Sequence, residues 1–214
     1  MNHKKVKYYL IDNQAQLTKD VLNLLNRSYL FWEKFWLDVF VQNKADVILN
    51  SDNFFRANRV AVLVYQKKII GLHLYTLFDL KKLATKAHTY FLFFNDDYMK
   101  KLEEMGIQHV MSMEYLSIDS EFRFSKVGLS YARVLIALAL KAANMLKMDA
   151  AIGPARVDLK INKMLHEFGG VSITENVYIH NTPCDLMAVL LNTTIPHHDP
   201  MIIKISEKLW NEKI

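Results

Sequence analysis

A single cysteine, Cys184, stands in a chain of 214 residues, so no internal disulfide can form and a disulfide-stapled secreted scaffold is excluded. Cys184 is expected to be a buried, inert thiol. Zinc-finger spacings of Cys and His are absent, as are internal repeats and a dense Arg/Lys stripe, which argues against a nucleic-acid partner. No apolar run approaches the roughly 20 residues that span a bilayer. The richest, Val134 to Leu140, runs straight into Lys141. Residues 1–14 are basic but lack a secretory apolar run and a small-residue cleavage site. A cytoplasmic protein is the expectation.

What is present is a core. Hydrophobic residues make up 51% of the chain, enough for one folded domain over 1–214. The net charge is a mild +5, from 27 basic and 22 acidic residues, and suits a phosphate-bearing cofactor or an acidic carrier protein.

Periodicity sets the order of elements. Val6 to Ile11 reads as a strand, and Leu17 to Leu30 as a helix with Thr18 and Asp20 in its first turn. Tyr29 to Phe40 reads as a second, aromatic helix. Val60 to Tyr65 and Ile69 to Phe78 form a hairpin across a short polar turn. A segment at 79–108 follows, with the aromatic run Tyr90 to Phe94 and a helix from Asp96 stopped by Gly106. One strand then runs from His109 to Ile118, and a long helix from Gly128 to Met148. Asp149 to Ile152 is a short strand ended by Gly153-Pro154, and Val157 to Phe168 a helix. Strands over Ser172 to Ile179 and Asp185 to Leu191 precede a tail at 193–214 with an amphipathic run, Ile205 to Trp210. This order argues for a central mixed twisted sheet with helices on both faces.

The chemistry is expected between residues 113 and 130. A strand ends near Ile118, a loop carries Arg123 and Lys126, and a helix opens at Gly128 with Ser130 in its first turn. The first amides of a helix have no internal partner, and the helix dipole adds positive potential there. A phosphate or pyrophosphate would be held by those amides and the two cations. Gly128 would let the backbone approach it closely. An ordinary strand-to-helix loop with solvated cations is the plain alternative.

The run Leu116, Ile118, Glu121, Phe122, Arg123, Lys126, Gly128 resembles the fourth-strand and pyrophosphate-loop signature of the GCN5-related N-acetyltransferase (GNAT) superfamily. Arg123 and Gly128 stand at the family's spacing, and Lys126 replaces its first glycine. Asp149 to Gly153 resembles the fifth strand, and Asn162 to Gly169 the Asn-rich helix after it. Leu165 stands where many members carry a tyrosine acid. Met113 to Arg123 and the long segment before it are similar to N-acyl amino acid synthases and acyl-homoserine-lactone synthases.

The resemblance implies an α/β GNAT-like fold and an N-acyltransferase. The donor would be a thioester, acyl-CoA or an acyl carrier protein, and the acceptor an amine such as an amino acid; no metal takes part. Leu116, Ile118, Arg123, Lys126, Val127, Gly128, Ser130 and Asn162 would hold the donor. Tyr90, Phe91, Phe93, Phe94 and Tyr178 would line an acyl or acceptor pocket. Glu114, on an apolar strand, is the candidate base, since apolar walls raise a carboxylate's pKa. Strict alternation puts it on one face with Leu116 and Ile118, so it would need a bulge to escape. Tyr178 and Tyr131 are left as acids, and His73 and His180 as residues facing an acceptor. The cluster His197, His198, Asp199 has poor metal geometry. Two other functions stay open: a non-catalytic thioester binder, and an interaction module using an exposed Tyr29 to Phe40.

Overall fold

The computed structural model describes residues 3–214. Strand β1 (Val6–Asp12) leads to helix α1 (Lys19–Gln42), whose first turn is capped by Thr18 Oγ1, accepting from Val21 N–H at 3.5 Å. The two helices expected here are one, because neither Gly nor Pro interrupts residues 19–42. A short turn of helix, α2 (Asp52–Phe55), precedes the hairpin of β2 (Arg59–Tyr65) and β3 (Lys68–Tyr75). Its turn residues Gln66 and Lys67 both take positive φ, the turn geometry that matches strand twist.

The chain then crosses Thr76 into β4 (Leu77–Asp79) and the segment at 80–108, which holds α3 (Leu83–Lys86), a 3-10 turn at Thr89–Phe93 and α4 (Asp96–Glu104). Asn95 caps α4 and Gly106, at φ 73°, ends it as expected. Next come β5 (His109–Ser112), β6 (Glu114–Ile118), α5 (Phe124–Val127), α6 (Tyr131–Met145) and β7 (Ala150–Arg156). Helix α7 (Ile161–His166), strands β8 (Val171–Ile179) and β9 (Thr182–Leu190), and helix α8 (Pro200–Asn211) complete the fold.

Two sheets result, in the orders β1-β2-β3-β6 and β4-β5-β7-β9-β8. Every pairing is antiparallel except β5 with β7. The strand expected over 109–118 is thus two strands in different sheets, divided at Met113. One shared core lies beneath both sheets, where α6 and α8 pack on Ala61, Ile70, Met111, Ala151 and Met187. The opposite faces are covered separately. Helix α1 lays Leu24 and Trp32 on Val60, Val62, Leu72 and Leu74. The segment at 80–108 lays Tyr90, Phe91, Phe94 and Tyr98 on Val110, Ala150 and Ile152.

Three further boundaries differ from expectation. The long helix starts at Tyr131, because Gly128 at φ 70° ends the short α5 instead of opening α6. The helix expected over 157–168 is only α7, preceded by Lys160 at φ 59°. Strand β7 continues through Gly153 and Pro154 to Arg156. Ile152 C=O faces β6, so two-residue periodicity turns the Pro154 nitrogen the same way. No strand pairs there, and the missing N–H breaks no ladder bond.

Gly153 fits its place by size. A Cβ added there would lie 2.8 Å from the Met113 carbonyl oxygen, and Met113 is pinned by its own N–H bond to Ile152 C=O at 2.8 Å. Gly153→Ala is therefore expected to destabilise the fold by about 1–3 kcal/mol, the usual scale for overpacking. Chemical denaturation of the two proteins side by side measures it; an unchanged midpoint would mean that the strands are free to move apart.

Candidate active site between two diverging strands

Beyond the bond from Met113 to Ile152, β6 and β7 separate. Strand β6 pairs only with β3, and residues 153–156 of β7 pair only with β9. An open edge of each strand therefore faces a wedge-shaped gap. Strand β5 is parallel to β7, so the gap widens toward the C-terminal ends of β6 and β7. Helix α6 joins those strands and packs on both, so as a crossover it starts at the wide end. Crevices at strand C-termini are where open α/β sheets bind ligands.

The apex of the gap is polar. Tyr90 Oη donates to Ile152 C=O at 3.3 Å and lies 3.6 Å from where a Gly153 side chain would begin. Glu114 is buried, at 6% exposure. Its Oε1 accepts from Ser112 Oγ at 2.5 Å and from Thr76 Oγ1 at 3.0 Å, and its Oε2 is paired with the Arg56 guanidinium. Arg56 also stands 5.9 Å from the centre of the Tyr90 ring. Glu114 is thus ion-paired and hydrogen-bonded as well as buried, so apolar walls alone do not describe its surroundings. Arg56 and Thr76 were not legible as site residues, because they lie 58 and 38 residues from Glu114; Ser112, two residues before it, shares its face in a regular strand and could have been found.

A bulge does occur in β6. Its register against β3 shifts between Leu72 and Leu74, and Tyr115 takes φ 58°. Strict alternation fails as a result: Glu114, Ser117 and Ile118 are buried, while Leu116 is half-exposed at the open edge. The Tyr115 ring meets Trp32 and Trp36 edge-on at 5.4 and 5.0 Å, and Trp36 Nε1 donates to Ser117 Oγ at 2.9 Å. Phe40 and Phe93 both contact His180 at the β8–β9 turn, at 5.2 and 5.3 Å. Asn43 reaches Thr182 Oγ1 at 2.9 Å. Helix α1 thus touches both sides of the gap. Within the run Tyr29 to Phe40, Trp32 and Phe40 are buried and Tyr29, Phe31, Phe35 and Trp36 half-buried, while Leu30 and Leu37 are exposed.

At the wide end, Ser130 caps α6, its Oγ accepting from Arg133 N–H at 3.4 Å. Arg123, Lys126 and Gly128 are exposed there and Val127 is half-buried. Gly128 takes φ 70°, which a glycine adopts freely, and no protein atom lies within 4 Å of a side chain added to it, so the space beside it is open.

Other expected site residues point elsewhere. Asn162 Nδ2 donates to Asp185 at 2.8 Å, which ties α7 to β9. Phe91 and Phe94 fill the core over β5 and β7, while Tyr178 is 76% exposed on β8. Tyr131 is bonded to His3 at 2.9 Å. His73 is buried in the shared core region, and burial pushes its imidazole down to about 3, so it faces no acceptor. Burial likewise pushes the Cys184 thiol up to about 11.

Comparison with solved structures follows from this geometry. BjaI, a CoA-dependent acyl-homoserine lactone synthase solved with SAM and isopentyl-CoA, aligns over 98% of this chain and 92% of its own, with TM-score 0.60 and 7% identity. FeeM, an N-acyl amino acid synthase from uncultured soil microbes, aligns over 88% and 93%, with TM-score 0.57 and 10% identity. The AHL synthase LasI aligns over 87% and 89%, with TM-score 0.55 and 12% identity. The chain has the GNAT-like fold of the acyl-transferring synthases. No protein-family model and no curated protein matches the sequence, so the likeness lives in the GNAT-like architecture.

Near the α6 mouth of this fold, Arg133 grips Glu167 with two bonds of 2.6 Å, and His197 Nε2 donates to Glu167 at 2.8 Å. Asp199 N–H donates to His197 Nδ1 at 2.9 Å, which leaves the imidazole proton on Nε2. Ligand atoms of Glu167, His197 and His198 lie within 4.8 Å of one another, but these bonds make the group an ion-pair network. The bonds from Arg133 hold the Glu167 carboxyl down to about 2, from an ordinary 4.5. Its stabilising effect is therefore complete above pH 4.5 and fades as pH falls through 2. Glu167→Gln is expected to lower stability by about 1–2 kcal/mol at neutral pH, within the range for charged hydrogen bonds. Thermal melts from pH 7 down to pH 2 measure it; the difference should shrink below pH 4.5, and a constant difference would refute the ion-pair account.

Proposed function

We propose that this chain transfers an acyl group from a thioester to an amine, and one observation carries the reading: two strands part beside a buried carboxylate, and a capped helix opens where they are widest. A thioester arm lying in the gap would meet the free edge of β6, where a backbone N–H near Leu116 would polarise its carbonyl. Such a donor acts most strongly as charge develops on oxygen. Arg123, Lys126 and the first amides of α6 would hold the phosphates of the carrier arm, as part of coenzyme A or of an acyl carrier protein. Val127, Gly128 and Ser130 shape that mouth, and Ile118 leads into it. Tyr90 and Phe93 would bound the acyl or acceptor side. In the reaction the amine nitrogen adds to the carbonyl carbon and its proton passes to Glu114; the C–S bond then breaks with its electron pair on sulfur, and the thiolate becomes a thiol by taking, overall, the proton that Glu114 received. With Oε1 held by two hydroxyls, Ser112 and Thr76 offer the route for that proton. The acceptor class that fits is a small amine such as an amino acid.

A second reading, a non-catalytic thioester binder, draws support from the same carboxylate, since both of its oxygens are already engaged. Turnover and binding, measured together, separate the two. Replacing Arg123 and Lys126 with alanine should weaken acyl-CoA binding by about 1–3 kcal/mol in calorimetry. Glu114→Gln should keep that affinity and lower the single-turnover rate about 10²- to 10⁴-fold, the scale of general-base catalysis. Equal affinity in the double alanine variant would remove the phosphate site. Binding without turnover in the parent chain, tested on a panel of amino acids and other small amines, would favour the second reading.

A further inference from the structure

A groove of about 700 Å³ lies on the far side of the first sheet, between α1 and the edge strand β1. It is separate from the gap, because β2 and β3 stand between β1 and β6. Strand alternation sends Val6 and Tyr8 into the shared core and turns Lys7, Tyr9 and Ile11 toward α1. Helix α1 covers Ile11, at 4% exposure, but leaves Lys7 exposed. A lysine thus occupies a position on the covered face of a sheet where an apolar residue would normally pack.

The walls that remain are apolar, formed by Tyr9, Val21, Leu24 and Val64. The rim carries four cations, Lys5, Lys7, Arg27 and Lys67, against two anionic groups, the Asp20 side chain and the main-chain carboxylate of Ile214, so it is net positive. Arg27 donates to the Lys67 carbonyl in the β2–β3 turn, which places its guanidinium at the rim. The volume falls within the ~300–1,000 Å³ typical of small-molecule sites, which likewise pair apolar walls with a few charged groups.

We propose that this groove is a second ligand site, taking a single-chain anionic amphiphile with its hydrocarbon chain along Tyr9, Val21, Leu24 and Val64 and its acidic head among the four cations. The ligand class includes a free fatty acid and an N-acylated amino acid, which present the same carboxylate and chain. Nothing in this assignment depends on the chain being an acyltransferase, and its test uses no turnover.

The experiment is equilibrium binding of dodecanoate, N-dodecanoylglycine and dodecylammonium to the full chain. Each is measured on the parent, on Lys5→Gln/Lys7→Gln/Lys67→Gln, and on Arg123→Ala/Lys126→Ala. The proposal expects both carboxylates to bind at least tenfold more weakly to the triple variant, with no change in the double variant. It also expects dodecylammonium to bind poorly throughout, and carboxylate affinity to fall with added salt. The ratio of the two carboxylate affinities identifies which source the groove prefers. Equal carboxylate affinity in parent and triple variant would overturn the proposal. So would loss confined to the double variant, which would put the ligand in the gap, or a parent dimer that the triple variant dissolves, which would make the groove a contact between copies.

Discussion

Two chain crossings carry the backbone from one sheet to the other, at Thr76 between β3 and β4 and at Met113 between β5 and β6. The hydrogen bond from Met113 N–H to Ile152 C=O is the last tie between the β5–β6 line and β7. Its position decides where the wedge begins. Gly153 makes room for the Met113 carbonyl, and Pro154 has no N–H to offer a strand on that side. Closing the gap by further pairing would thus meet both a steric and a hydrogen-bonding obstacle.

The polar groups around Glu114 belong to the same junction. Ser112 N–H donates to Thr76 C=O at 2.8 Å, Thr76 N–H donates to Ser112 Oγ at 3.0 Å, and both hydroxyls reach Glu114. The carboxylate therefore joins the two crossings, and Arg56 supplies the opposite charge. A buried ion pair recovers its desolvation penalty only when the remaining hydrogen-bonding capacity is satisfied. For the carboxylate it is satisfied; for Arg56 the Nε remains buried without a partner among the described residues. The imbalance sits on the cation side, beside Tyr90, at the apex of the gap.

The order of elements and a mixed sheet covered by helices were legible because helices α1, α4 and α6 present clear apolar stripes and the hairpin carries a polar turn; the GNAT-like fold was legible only through the resemblance. The start of the long helix was placed within three residues, at Gly128 instead of Tyr131, because the signal is local in sequence. What failed to show were contacts across distance. Arg56 and Thr76 meet Glu114 from 58 and 38 residues away, and neither residue type nor spacing announces such a pair. Asn162 matched a family position by spacing, yet its amide turns to Asp185, a partner visible only once β9 lies beside α7. The division of one apolar run at Met113 was hidden as well, since periodicity cannot tell a continuous strand from two that change sheets.

The helix mouth and the junction differ in how far they constrain chemistry. Arg123 and Lys126 are exposed, so their fields are screened by solvent and salt, and any hold on an anion there would depend on the ligand itself excluding water. Glu114, by contrast, is enclosed before any substrate arrives. A proton released in the gap can reach it only by way of a hydroxyl or by displacing one of its present partners. The bulge at Tyr115 bears on that route, because it takes the residue after Glu114 out of the regular ladder. It turns the Tyr115 ring toward α1, against Trp32 and Trp36. Helix α1, bonded to Ser117 through Trp36, packs on both sides of that bulge and so fixes β6 on the side away from the shared core.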